Sequence, residues 1–430
     1  MKTPFDISKL EVFYPGKYTA EEQAVLDEID AGTYMGGPKL GPNQDYTIGP
    51  ILGWEAQLYA RGYDKYNPIW FDSDYAKAAG FKDTPVRPGF IAPEFTYFFP
   101  PCFGEGAMGL SDEDPVGDGY DQDISYLEPI YPGDVLTIAN RKDSWYDATD
   151  PKGSVIRKMI AISYGEVFNQ DGVKVMEMTY RYPYFKCRST DPDMEIPMVH
   201  PFQRYLHPIP KYTEADWDVI SQQMLSEKVR KEPLYWEDVE VGEQPGLICE
   251  GPIMMTDMMR FHALPLLMNK NIRDYYADGK QGPFGYHPDT GTYENFLAAH
   301  ISSDHGPFYN YTGRNLCVRL LTNWCGPQGQ VVKCAWRLVN DAPPEKTVNH
   351  FPADYWRPSF LLKVPELAEQ GKFMNIHGFT YDLGLMKGAV TDKYVDDNGN
   401  HMVELVCWGE DIHGDIWTEL LYTVKLPSRG

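Results

Sequence analysis

The second half of this chain repeats the order of features in the first, and that repeat narrows its folds more than any other property. Gly49-Pro50-Ile51 stands ahead of one helical stretch, and Gly251-Pro252-Ile253 stands ahead of another. Tyr164-Gly165-Glu166 leads into a turn and a strand that ends in Tyr180 and Tyr182. Trp408-Gly409-Glu410 leads into the turn Ile412-His413-Gly414 and a last strand ending at Leu426-Pro427. Any one tripeptide is weak, but the shared order of helix, helix, long strands and hairpin indicates duplication. At 430 residues the chain also exceeds one ordinary domain.

Periodicity gives the elements. Thr19–Ala31 reads as an acidic amphipathic helix capped by Thr19, and Gly32–Pro50 is rich in Gly and Pro. Trp54–Arg61 and Ser73–Gly80 read as helices, the latter with a Ser cap and a Gly stop. Val135–Ile138, Val155–Phe168 and Val173–Tyr184 are β-branched and aromatic, and the Asp-Gly of Asn169–Gly172 joins the last two as a hairpin. A Pro- and His-rich stretch and a helix over Thr213–Lys231 then read as a linker. Beyond it, helices are expected over Thr256–His262, Thr292–His300 and Asn310–Cys325, and strands over Gln330–Val339, Gly384–Val395, His401–Glu410 and Asp415–Leu426. The fold class is α+β, with long antiparallel strands around a helix in each half.

The formal charge of −23, with no basic stripe against it, argues against nucleic acid as a partner. No apolar run reaches the roughly 20 residues of a membrane helix, and Met1–Leu10 does not read as a signal peptide. Cysteines at 102, 187, 249, 317, 325, 334 and 407 form no CxxC pair, which fits reduced thiols. A cytoplasmic location is expected. No GxGxxG follows a strand, and neither a Walker loop nor a GxSxG elbow is present, so nicotinamide, triphosphate and serine-hydrolase chemistry lack support.

Several stretches resemble one family. Tyr66–Gly80 (YNPIWFDSDYAKAAG) and Val86–Pro93 (VRPGFIAP) resemble the N-terminal half of MaoC-like dehydratases, in which an Asn-Pro turn, an Asp and a Tyr-Ala helix lead to a Pro-Gly loop. Tyr126–Leu136 (YLEPIYPGDVL) is similar to the run into the second strand of a hotdog fold. Tyr235–Glu243, Leu320–Gly326 and the tail from Lys393 to Arg429 resemble the C-terminal half of long, duplicated members with a FAS1-like dehydratase N-terminal half. The resemblance implies two hotdog domains, each an antiparallel sheet wrapped around a central helix. They are expected at 49–188 and 233–430, after an extension over 1–48 and on either side of a linker over 189–232. It further implies a hydratase or dehydratase of an enoyl- or 3-hydroxyacyl-CoA thioester in a homodimer; no metal or cofactor is expected. The abundance of aromatic residues suggests a bulky or aromatic acyl group.

The family's active motif is Gly-Asp-x-Asn-Pro-x-His. Here the stretch is Gly62-Tyr63-Asp64-Lys65-Tyr66-Asn67-Pro68-Ile69-Trp70, so Trp70 holds the His position and Asp64 fits with a one-residue bulge. The first copy is therefore expected to shape the substrate tunnel through Asp64, Asn67, Trp70 and Gly89 rather than to run the reaction. In the second copy, three of the ten histidines (His287, His300 and His305) fall just ahead of the helix expected at Asn310, with Asp289 and Asp304 among them. A His beside an Asp is suited to acid–base work near neutral pH, so His305, Asp304, His300 and His287 are the catalytic candidates. The bland reading of each alone is a solvated turn or helix cap. Their spacing matches no helical zinc pair. Gly313 and Gly89, as candidate backbone donors to the thioester oxygen, and Tyr309 and Tyr311, as pocket walls, complete the set. Two other readings remain: a non-catalytic acyl-CoA-binding subunit of a heteromeric enzyme, and a hotdog enzyme with diverged lyase or thioesterase chemistry.

Overall fold

The computed structural model describes residues 3–4, 6–33, 45–91, 121–194, 211–253, 307–337, 359–372 and 383–430. The first half contributes β1 (Asp45–Ile48), β2 (Asp121–Tyr126), β3 (Leu136–Asp147), β4 (Arg157–Phe168) and β5 (Lys174–Lys186). The second contributes β6 (Ile248–Glu250), β7 (Gln330–Arg337), β8 (Gly384–Val395), β9 (His401–Glu410) and β10 (Ile416–Leu426). All ten join in one sheet, in the order β1-β3-β4-β5-β2-β7-β10-β9-β8-β6. Read inward from either edge, the order is the same. The repeat in the sequence is thus built into the sheet. The repeated tripeptides match in backbone as well: both Gly-Pro bonds are cis, and φ is +113° at Gly49 and +117° at Gly251.

The halves meet at an antiparallel seam between β2 and β7, with Asp121 opposite Arg337 and Ser125 opposite Lys333. Inside the seam the buried Trp336 indole donates to the buried Gln122 carbonyl. Most of β4 alternates between buried and partly exposed positions, as expected when one face of a sheet is covered. β9 and β10 are buried almost throughout. One reason lies outside the sheet, where Phe360, Leu361, Val364 and Leu367 pack on Ala389, Val406, Trp408 and Ile416.

On the other face lies the central helix of the second half, Pro307–Cys325. Among the described residues the α-helices are, in chain order, α1 (Ala20–Asp30), α2 (Gly53–Tyr63), α3 (Ser73–Ala78), α4 (Glu214–Ser226), α5 (Pro307–Cys325) and α6 (Pro365–Glu369). α5 packs against all five strands of its half, so the hotdog arrangement expected there is present. The central helix expected in the first half and the helices expected at Thr256–His262 and Thr292–His300 fall outside the described residues. Among the described residues, no helix is long and apolar enough to cross a membrane.

The described parts of the stretches expected as an extension and a linker pack on the rest of the chain. α1 starts with a capping box in which the Thr19 hydroxyl accepts from Glu22 N–H and the Glu22 carboxylate accepts from Thr19 N–H. Glu22 is 1% exposed and pairs with Arg157 (2.7 Å), Arg188 (2.8 Å) and Lys186 (3.3 Å) at the ends of β4 and β5. α4 stops at Ser226, short of Lys231, and the chain then runs along α5, with Arg230 N–H on Asn323 O and Leu234 N–H on Cys325 O.

Candidate functional site

Three local features build a buried cluster where the halves touch. α2 ends at Tyr63, and Asp64 is its C-cap, with its N–H on Ala60 O at 2.7 Å. Asn67 then caps a single 3₁₀ turn, Pro68–Trp70, by accepting from Ile69 N–H at 3.2 Å. The Pro at the first position of that turn has a ring already set to a helical φ. This tight reversal carries Trp70 back so that its Nε1 donates to Asp64 Oδ2 at 2.6 Å. From the other half, the Thr322 hydroxyl on α5 donates to the same oxygen at 3.2 Å.

Asp64 is 1% exposed, and its Oδ1 has no hydrogen-bond partner among the described residues. Burial pushes its pKa up, and this outweighs Arg87, the Trp70 indole, Arg319 and the Thr322 hydroxyl, which pull it down. Asp64 therefore keeps its proton to higher pH than an ordinary aspartate.

The face of α5 turned to this cluster is polar. Asn315, Arg319, Thr322 and Asn323 are spaced as one helical stripe, and all four are buried. Arg87, 1% exposed, donates from Nη1 to Asn315 Oδ1 at 2.5 Å and from Nη2 to Asn315 O. The Tyr59 hydroxyl lies 2.7 Å from Asn315 Oδ1 and 2.8 Å from Gly89 O. Arg319 is held by Glu227 and by Glu250 (2.8 Å), and it reaches Tyr63 O at 3.4 Å. A cleft opens beside this network. Trp70, Arg87, Gly89 and Thr322 contribute to its wall, with apolar surface from Phe81, Val86, Ile130, Met176 and Val331.

The expected site residues fare unequally. Asp64, Asn67, Trp70 and Gly89 come together at the junction, with Asn67 acting through the turn it caps. Gly89 has φ +92°, and a Cβ there would sit 3.0 Å from both Asn315 Oδ1 and Tyr59 Oη. It is a glycine of close approach. Gly313 is a correction. α5 begins at Pro307, earlier than expected, so Gly313 is its seventh residue and its N–H lies beyond the four that a helix start leaves open. A Cβ on Gly313 would meet Thr418 Cγ2 at 2.8 Å and the Trp417 ring at 3.1 Å, so this glycine seats the helix against β10. The backbones of Tyr309 and Tyr311 lie in the first turns of α5, and their side chains are outside the described set. His287, His300, Asp304 and His305 lie outside the described residues entirely. Sequence reasoning missed Tyr59, Arg87, Asn315, Arg319 and Thr322. The polar residues recurring at 315, 319, 322 and 323, one face of a helix, were the available signal.

Residues 53–178, from α2 into β5, match the family described as FAS1-like, dehydratase domain region. No curated protein matches the sequence. Similar solved structures include a MaoC domain protein dehydratase from Chloroflexus aurantiacus J-10-fl, at 13% identity and TM-score 0.43, over 91% of this chain and 97% of that one. A MaoC-like dehydratase is 12% identical with TM-score 0.46, over 90% and 98%. A double hotdog protein from Mycobacterium tuberculosis is 11% identical with TM-score 0.43, over 90% and 96%.

Proposed function

Taking residues 53–178 as a FAS1-like dehydratase region joined to a second hotdog, we propose that this chain hydrates or dehydrates an acyl-CoA thioester in the cleft between its halves. The observation that carries the reading is Asp64, a buried carboxyl with a raised pKa that receives a donor from each half, Trp70 and Thr322, both of which line the cleft. Adding water across a C=C conjugated to a thioester needs one group to give a proton, one to take a proton, and donors for the thioester oxygen. Asp64 holds the proton destined for, or recovered from, the 3-hydroxyl oxygen. His305, or His300, assisted by Asp304, exchanges the proton at the α-carbon. The open N–H groups at the start of α5 serve the thioester oxygen. The apolar wall at Phe81, Ile130, Met176 and Val331 suits a bulky or aromatic acyl group.

The test is loss of the conjugated-thioester absorbance when a panel of enoyl-CoA esters is added to the protein alone. Turnover by the wild type is expected, and His305→Ala or Asp64→Asn should lower kcat by roughly 10²–10⁴-fold, the usual share of a general acid or base. No turnover with any ester, together with tight acyl-CoA binding, would favour the non-catalytic subunit of a heteromeric enzyme. Release of free thiol without hydration would favour a thioesterase. A homodimer is the proposed assembly, to be checked by sedimentation equilibrium.

A further inference from the structure

Asp64 does not itself line the cleft, and this raises the question of how a proton on it would reach a substrate. Two of its neighbours do line the wall, Trp70 and Thr322. The indole Nε1 is a donor only, so Trp70 can fix Oδ2 but cannot pass a proton on. A hydroxyl both donates and accepts, and Thr322 Oγ1 lies 3.2 Å from Asp64 Oδ2 and 3.3 Å from Arg319 O. We infer that Thr322, on the central helix of the C-terminal half, is the catalytic hydroxyl through which Asp64 in the N-terminal half reaches the cleft. The inference rests on the hydratase reading and adds to it a residue and a route.

In the dehydration direction the C–O bond at the 3-position breaks and the departing oxygen takes the Thr322 hydroxyl proton. Thr322 Oγ1 takes the proton of Asp64 in turn, and water leaves. The α-carbon proton goes to the histidine of the reading above, and its electron pair forms the C=C bond. Asp64 ends as a carboxylate beside Arg87 and Arg319, with the Trp70 N–H still on Oδ2, and transfer of a proton from the histidine through solvent resets the pair. Hydration is the reverse. The groups bearing on Asp64 are therefore Arg87 from the loop after α3, Trp70 from its own turn, and Arg319, Thr322 and Cys325 from α5. The route exists only where the two halves meet.

The experiment compares Thr322→Val, Thr322→Ser, Asp64→Asn and the double variant Thr322→Val/Asp64→Asn, using an enoyl-CoA ester that the wild type turns over. Thr322→Val should lower kcat roughly 10²-fold with KM little changed, the mark of an interaction made in the transition state. Thr322→Ser, which keeps the hydroxyl, should recover to within about tenfold of wild type, a smaller loss than removal of a general acid. The double variant should be no slower than Asp64→Asn, because residues acting as a unit are not additive. The limb of the kcat–pH profile lost in Asp64→Asn should also be lost in Thr322→Val. Thermal unfolding of each variant separates a folding defect from a relay defect, and Thr322→Ser carries the test if the valine variant does not fold. A valine variant at wild-type kcat, or a serine variant as slow as the valine, overturns the relay and leaves the hydratase reading standing. A wild type that turns over no ester overturns both.

Discussion

Arg87→Met removes a two-bonded polar contact between the halves while keeping most of the side chain's volume. The guanidinium is 1% exposed, sits 5.6 Å over the Tyr63 ring and makes two charge-assisted bonds to Asn315. Each such bond contributes about 1.5–3 kcal/mol, and a stranded buried acceptor costs about 1–3 kcal/mol. Asn315 Oδ1 keeps the Tyr59 hydroxyl at 2.7 Å, and the Asn315 main-chain oxygen lies in the interior of α5, where a helical N–H also reaches it, so the loss is that of the two charge-assisted bonds themselves. Arg87 Nε has no partner among the described residues, and removing it offsets part of the cost. The net destabilisation is then about 2–3 kcal/mol, a fall in Tm of roughly 5 °C for a chain larger than a single domain. Differential scanning calorimetry measures this directly. Arg87→Lys should recover only part of it, because a single ammonium cannot serve both acceptors. Paired with Asn315→Ala, the variant should show a coupling of about 0.5–3 kcal/mol. An Arg87→Met protein that unfolds within about 1 °C of wild type, with no coupling to Asn315, would mean that the contact carries no stability.

Three further outcomes follow from the packing and charges. Because burial raises the Asp64 pKa, the native state binds that proton more tightly than the unfolded chain, so stability falls as pH rises from about 4 through the native pKa. Asp64→Asn should remove that slope in denaturant titrations across pH and be the more stable protein at neutral pH; parallel curves would contradict it. Glu22 is the opposite case: burial pushes its pKa up, but Thr19 N–H and the Arg157, Lys186 and Arg188 charges hold it below the usual value. Its contribution is present above the unfolded pKa and lost as pH falls through the native one, and Glu22→Gln should cost about 3–5 kcal/mol at neutral pH, read by urea denaturation. Gly313→Ala should cost about 1–3 kcal/mol by forcing Thr418 and Trp417 aside, which a melting curve would show.

The long strands were legible because their patterns are local. Gly384–Val395 and His401–Glu410 were placed to the residue, and Thr19 was identified as the cap of α1. The seam strand β2 was not found, since Asp121–Tyr126 carries little β-branched character and owes its form to β5 and β7 on either side. The helix expected through Lys231 ends at Ser226 because Glu227 is drawn to Arg319, 92 residues away. The same limit applies to the site. Asp64, Asn67 and Trp70 sit within one short motif and were named from it. Thr322 and Asn315 matter only through contacts with residues more than 200 positions earlier, Asp64 and Arg87. No periodicity in α5 says which neighbour will be there.

The seam also decides which halves can associate with which. β2 brings Asp121 and Asp123 to it, and β7 brings Lys333 and Arg337. Paired as found, the register sets one acidic position against a basic one, Asp121 opposite Arg337, whereas two copies of β2 would meet with no basic position between them and two copies of β7 with no acidic one. Like charges directly opposite are disfavoured, so the pairing discriminates against its own mirror combinations. A free N-terminal half should thus be a poor partner for another N-terminal half, however alike the two hotdogs are in shape. Covalent linkage supplies the matching strand at high effective concentration, and the charge pattern along the seam favours the same pairing.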